Sequence, residues 1–132
     1  MSEPAATGLS ASAERATTPA GAAAAIVAFE GDLDLATVER FEEALDERGA
    51  TNLIVDLGGV RFIDSSGIHA LVRARAARTA SDLGTELVVA PGSAVERVLE
   101  MSGLLEELGA RADRDSALAA LDDRDPPANG RR

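Results

Sequence analysis

Between residues 22 and 121, apolar runs of strand length alternate with segments of helical period, the pattern of an α/β domain with a mixed, mainly parallel sheet and about four helices. The run 26–29 is predicted as a strand, with a weaker strand at 9–15 paired to it across Thr18-Pro19-Ala20-Gly21. A helix follows over about 35–48, with Val38, Phe41 and Leu45 on one face, Asp34 or Thr37 as N-cap and Gly49 just past its end. Leu53-Ile54-Val55-Asp56-Leu57 has the apolar density of a central strand covered on both faces; Gly58-Gly59 is predicted as a turn, and 60–63 leads into Asp64-Ser65-Ser66-Gly67.

That tetrapeptide opens a second helix, predicted to bury Ile68, Leu71, Val72 and Ala76 and to align Ser65, His69 and Arg73 on another stripe. A strand at 86–90 turns through Pro91-Gly92 into Ser93-Ala94-Val95-Glu96. Ser and Glu three apart are a capping-box signature, and the helix they start buries Val95, Val98 and Leu99 and ends near Gly103. A short strand at 110–112 and a helix over about 116–121 complete the domain. Residues 1–21 and 122–132, rich in small, charged and proline residues, are expected to be a largely disordered extension and tail.

Composition narrows the chemistry. All 13 basic residues are arginine, which removes Schiff-base, aldimine and P-loop lysine mechanisms. With no cysteine and one histidine, no thiolate metal site or disulfide is available, so neither a metal nor any other cofactor is expected. A net charge of −10 opposes nucleic acid and anionic lipid. The run 22–29 is mostly alanine and too short to span a bilayer, and the residues before it include Glu3, Glu14 and Arg15; no membrane association and a cytoplasmic location are expected.

The candidate chemistry lies at the strand-to-helix turn. One residue suffices to cap a helix, with Ser65 the obvious N-cap, yet Asp64, Ser65 and Ser66 stand together before a glycine that permits close backbone approach. The surplus points to a presented hydroxyl, beside the plainer reading that Ser65 or Asp64 caps the helix and does nothing more. A nucleophile elbow requires glycine two before and two after the serine, and Ser65 has Ile63 and Gly67; His69, one turn along the same helix, is badly placed as its base. Serine hydrolysis is therefore disfavoured, and no enzymatic activity is expected. Ser65 is better suited as the substrate of a kinase that brings its own catalytic groups, since a helix N-terminus accommodates a phosphate.

Gly31-Asp32-Leu33-Asp34, Leu53-Ile54-Val55-Asp56-Leu57, Phe62-Ile63-Asp64-Ser65-Ser66-Gly67 and Val98-Leu99-Glu100-Met101-Ser102-Gly103-Leu104 occur in that order, and together they resemble the bacterial anti-sigma factor antagonists of the STAS domain family over about 22–121. The resemblance implies a domain that binds an anti-sigma factor and so frees a sigma factor. It implies that the anti-sigma factor is also a serine kinase that ends the binding, and that a metal-dependent serine phosphatase restores it. By the match Ser65 is the phosphoacceptor, Asp34 the loop aspartate that contacts the partner, and Asp64, Ser66 and Gly67 flank or complete the site. The family pattern continues Ser-Ser-Gly-Leu-Gly, whereas this chain has Ile68 and His69, so His69 adds bulk at the implied interface. The alternative is a STAS scaffold or sensor module of a stress-signalling or transport complex in which Ser65 only caps the helix.

Overall fold

The structure is a computed structural model that describes residues 8–123. Strands β1 (Leu9–Thr17), β2 (Ala23–Leu33), β3 (Asn52–Ile63), β4 (Thr85–Val88) and β5 (Ala110–Arg111) form one sheet in sequence order. β1 runs antiparallel to β2, and the other neighbours are parallel. The helices are α1 (Val38–Asp46), α2 (Ser65–Ala80), α3 (Ala94–Met101) and α4 (Arg114–Asp123).

Side-chain alternation along the strands explains the two layers of helix. Val27, Phe29, Leu53, Val55, Leu57 and Leu87 point to one face and pack with Phe41 and Leu45 of α1, Leu71 of α2 and Val95 and Leu99 of α3. Ile26, Ile54 and Val88 point to the other, under Ala117 and Leu121 of α4. A strand covered on both faces must be apolar at successive positions, as 53–57 is. Asp56 is the polar exception: its buried carboxylate accepts the Gly58 N–H at 2.8 Å and pairs with Arg114 Nε at 2.7 Å, tying α4 to the sheet.

The structure departs from the expected elements in several places. The weaker strand expected at 9–15 is present as Leu9–Thr17 and pairs residue for residue with β2, so the stretch before residue 22 is more ordered than its composition suggests. Asp122 and Asp123, expected in the disordered tail, instead close α4, and the expectation for 1–7 and for 124–132 lies outside the described residues. Gly58-Gly59 is not a turn but part of β3, whose pairing with β2 slips between Ala28 and Glu30 and again between Gly31 and Asp32, so that β3 carries the extra residues as bulges. A Cβ on Gly59 would lie 2.6 Å from Glu30 Cγ and 2.8 Å from the Phe29 carbonyl oxygen, so the glycine serves close strand approach.

Helix α1 begins at Val38, after a turn in which Thr37 Oγ1 accepts the Asp34 N–H at 3.0 Å and donates to the Asp32 carbonyl at 2.8 Å. These local bonds compete with helix over 35–37. The buried face of α2 is Gly67, Ala70 and Leu71, while Val72 and Ala76 are exposed. The small residue at the helix entrance, rather than the largest apolar ones, sets which side meets the sheet.

Candidate functional site

The C-terminal ends of β2 and β3 lie side by side, and the chain leaves them by two different turns: Asp34 to Thr37 ahead of α1, and Asp64 directly into α2. Asp64 joins these turns. Its backbone N–H donates to the Leu33 carbonyl at 3.2 Å, its Oδ1 accepts the Gly67 N–H at 3.1 Å, and its Oδ2 accepts the Leu35 N–H at 3.3 Å. Asp64 is therefore the N-cap of α2, and the expectation that Ser65 caps it is corrected. An extended residue immediately before the helix can turn its own carboxylate back onto the third N–H, which the first helical residue cannot do.

Ser65 is the first residue of α2 and is exposed; Ser66 is half-buried. The Ser65 hydroxyl, relieved of capping, stands at the positive end of a 16-residue helix. Gly67 is buried, and a Cβ there would lie 2.6 Å from the Leu33 carbonyl oxygen and 2.8 Å from Ile63 Cγ1, so its size lets the helix start against the end of β2. His69 is exposed one turn further along, on the stripe of Ser65 and Arg73, and Arg73 pairs with Glu42 of α1 at 2.7 Å.

Asp34 is partly exposed, and its Oδ1 accepts the Ala36 N–H at 3.0 Å, so this carboxylate shapes the turn that Asp64 holds from the other side. Asp32 is paired with Arg61 at 3.6 Å. Asp34, Asp64, Ser65 and Ser66 thus gather at one end of the sheet, with Gly67 beneath them and His69 at the margin.

Two residues that sequence reasoning passed over belong to the same end. Leu35 is 74% exposed and Phe62 49% exposed, although both are large and apolar. Reading Leu35 as the start of a helix hid it; the Asp-x-x-Thr turn around it was the available signal. Exposed apolar side chains beside a presented hydroxyl and two carboxylates suit contact with another macromolecule better than enclosure of a small substrate. Among the described residues, no cluster of three or more His, Asp or Glu side chains is arranged to hold a metal ion, and no helix is long and apolar enough to cross a membrane.

A mixed sheet of this order, with a capped helix opening from the end of its central strand to present a serine, defines a small α/β domain. The STAS domain family profile matches residues 15–117, and the chain belongs to that family. An 86-residue stretch is 35% identical to the anti-sigma-F factor antagonist RsfB of Mycobacterium tuberculosis, covering 61% of this chain and 66% of that protein, just under two thirds of the relative's length. The fold is similar to that of an anti-sigma factor antagonist from Mycobacterium paratuberculosis, with a TM-score of 0.66 at 22% identity over 86% of this chain and 96% of the other. It is also similar to part of the murine Slc26a9 anion transporter, with a TM-score of 0.65 at 23% identity over 78% of this chain and 18% of the other.

Proposed function

We propose that the chain is an anti-sigma factor antagonist: a binding domain without catalytic activity that holds an anti-sigma factor, frees a sigma factor and is switched off when the anti-sigma factor, acting as a serine kinase, phosphorylates Ser65. A metal-dependent serine phosphatase resets it. The similarity to RsfB supports the class of partner. The observation that carries the switch is the exposed Ser65 hydroxyl at the first position of α2, with capping given over to Asp64. In this reading Asp34, Ser66 and His69 join Asp64 in facing the partner, and Gly67 sets the depth at which the turn sits.

The chemistry follows from charge. A phosphate brings about −1.5 to −2 charges to a surface that already holds Asp64 and the turn of Asp34. Two unit charges about 6 Å apart at an effective dielectric near 20 interact by about 3 kcal/mol, so a divalent phosphate meets about 5 kcal/mol from one fixed carboxylate. Release of a bound partner, from mostly bound to mostly free, needs about 5.5 kcal/mol. Local repulsion in a desolvated interface is of the right size, and the helix end tolerates the charge in the free protein.

The test is incubation of the full chain with the anti-sigma factor kinase of the same genome and ATP, followed by mass spectrometry and by binding measurements on Ser65→Ala and Ser65→Asp. Phosphate is expected on Ser65, with Ser65→Ala still binding and Ser65→Asp weakened about 100-fold, as about 3 kcal/mol of repulsion implies. Phosphate on another residue, or equal affinity of all three chains, overturns the switch.

A further inference from the structure

β1 is an edge strand, and its free side carries a pattern that no contact within the described chain uses up. The Asp32 N–H donates to the Gly8 carbonyl at 2.9 Å, and the register then runs Leu9 opposite Gly31 through Thr17 opposite Ala23 without a slip. In an antiparallel pair the bonded positions alternate, so Ser10, Ser12, Glu14 and Ala16 turn their backbone groups to β2 while Leu9, Ala11, Ala13, Arg15 and Thr17 turn theirs outward. Arg40 Nε reaches the Leu9 carbonyl at 2.6 Å, which marks that direction and covers one end of the edge. Over Ala11 and Ala13 the edge has no proline, no lysine, no bulge and no bulky side chain, and the charged residue that follows on the outward side is Arg15.

We propose that this edge pairs with the same edge of a second copy of the chain, antiparallel and centred on Ala13, to make a two-fold dimer with a continuous sheet. Centring on Ala13 sets Ala11 opposite the partner copy's Arg15 and Leu9 opposite its Thr17, so the outward N–H and C=O groups of 11, 13 and 15 are all satisfied. No charged residue then faces its own copy: Glu14 lies across from a serine at position 12, and Arg15 across from an alanine at position 11.

The charge placement favours this register. Leu9 and Ala11 pack on the face that carries α1, and Arg15, two residues on from Ala13, shares that face. Beside Ala11 is a shallow cavity of about 120 Å³ lined by Arg40, Glu43, Ala44 and Glu47. Arg40 keeps its charge while bonded to the Leu9 carbonyl, but Glu43 and Glu47 leave the lining negative on balance, so an incoming guanidinium at position 15 has carboxylates to pair with. Symmetry provides the contact twice. The dimer uses the sheet edge and α1, whereas the Ser65 turn opens from the end of β3, so this inference is independent of the proposed switch.

Sedimentation of the full chain from micromolar to millimolar concentration tests it. The wild type is expected to dimerise reversibly. Ala13→Pro removes an outward N–H while sparing the bonds to β2, and is expected to stay monomeric at every concentration with an unchanged circular dichroism spectrum. Arg15→Glu is expected to weaken the dimer about tenfold, and adding Glu43→Arg to restore it. Should Ala13→Pro disturb the fold, the charge exchange decides alone. A wild type that remains monomeric at millimolar concentration, or a dimer indifferent to Arg15→Glu, overturns the proposal.

Discussion

Asp64 accepts the backbone N–H of Leu35 at 3.3 Å across 29 residues of chain. The same carboxylate closes the first turn of α2 through Gly67. One side chain thereby holds two separate turns in a fixed relation, and the exposed Leu35 and Ser65 share that relation. Without this link the two turns would still be joined by the strand pairing that ends at Leu33 opposite Ile63, by the backbone bond from Asp64 to Leu33 and by the packing beneath them, but by no side chain that bonds to both.

Asp64→Ala is expected to lower stability by about 1 to 2 kcal/mol, the range for losing a carboxylate N-cap. Asp64→Asn, which keeps an acceptor, is expected to lose less than half of that. Denaturant unfolding gives the energies, and amide hydrogen exchange locates the effect: the N–H groups of both Leu35 and Gly67 are expected to exchange faster in Asp64→Ala. Faster exchange at Gly67 alone would mean that the Leu35 bond contributes nothing.

Gly67→Ala is expected to cost about 1 to 3 kcal/mol, because a methyl group there meets the Leu33 carbonyl oxygen and Ile63 Cγ1 well inside contact distance. The usual advantage of alanine over glycine in a helix, about 1 kcal/mol, is outweighed. Ser66→Ala, next to it and half-buried, is the control and is expected to change stability by no more than about 0.5 kcal/mol. A Gly67→Ala chain as stable as the wild type would show that the helix can withdraw from β2 at no cost.

The alternation of strands and helices, the dense central strand at 53–57 and the capping box at Ser93 were legible because each follows from short-range pattern; Ser93 Oγ accepts the Glu96 N–H at 3.1 Å, with Glu96 reaching back to the Gly92 N–H at 2.7 Å. The serine turn was legible as a surplus of capping residues. Which of them caps was not, since Asp64 and Ser65 are both good N-caps and the choice depends on Leu33 and Leu35, which only tertiary structure brings near. The bulges that absorb Gly58 and Gly59 into β3 were equally hidden, because a glycine pair marks a turn or a close strand approach with the same letters.

Asp113 gives a pH-dependent contribution away from the site. Its Oδ1 accepts the Ser116 N–H at 2.7 Å at the start of α4, and hydrogen bonding from the Ser116 backbone and hydroxyl holds its carboxyl below the usual value of 3.8. A carboxyl whose folded value is depressed binds its proton less readily in the native state, so its stabilisation is complete above 3.8 and fades as pH falls through the folded value. Asp113→Ala is therefore expected to melt at a lower temperature than wild type at pH 7, with the gap closing in strong acid, while Asp113→Asn, which keeps an acceptor but cannot ionise, starts from a smaller gap and follows the same pH trend. Calorimetry across that range checks it, and a constant Asp113→Ala gap down to the most acid point would remove the carboxylate from the account.

The proposed switch requires that charge on Ser65 act on a partner and not on the fold, and this has its own measurement. A carboxylate at the first helical position gains about 0.3 to 1 kcal/mol from the helix end. Repulsion from the partly exposed Asp64, screened by solvent, opposes it by a similar amount. Ser65→Asp is accordingly expected to keep its stability within about 1 kcal/mol of wild type, with unchanged exchange at Leu35 and Gly67. If instead the variant lost several kcal/mol, or freed the Leu35 N–H, then weakened binding by Ser65→Asp would report damage to the Asp64 brace, and charge repulsion would not be what releases the partner, even with phosphate found on Ser65.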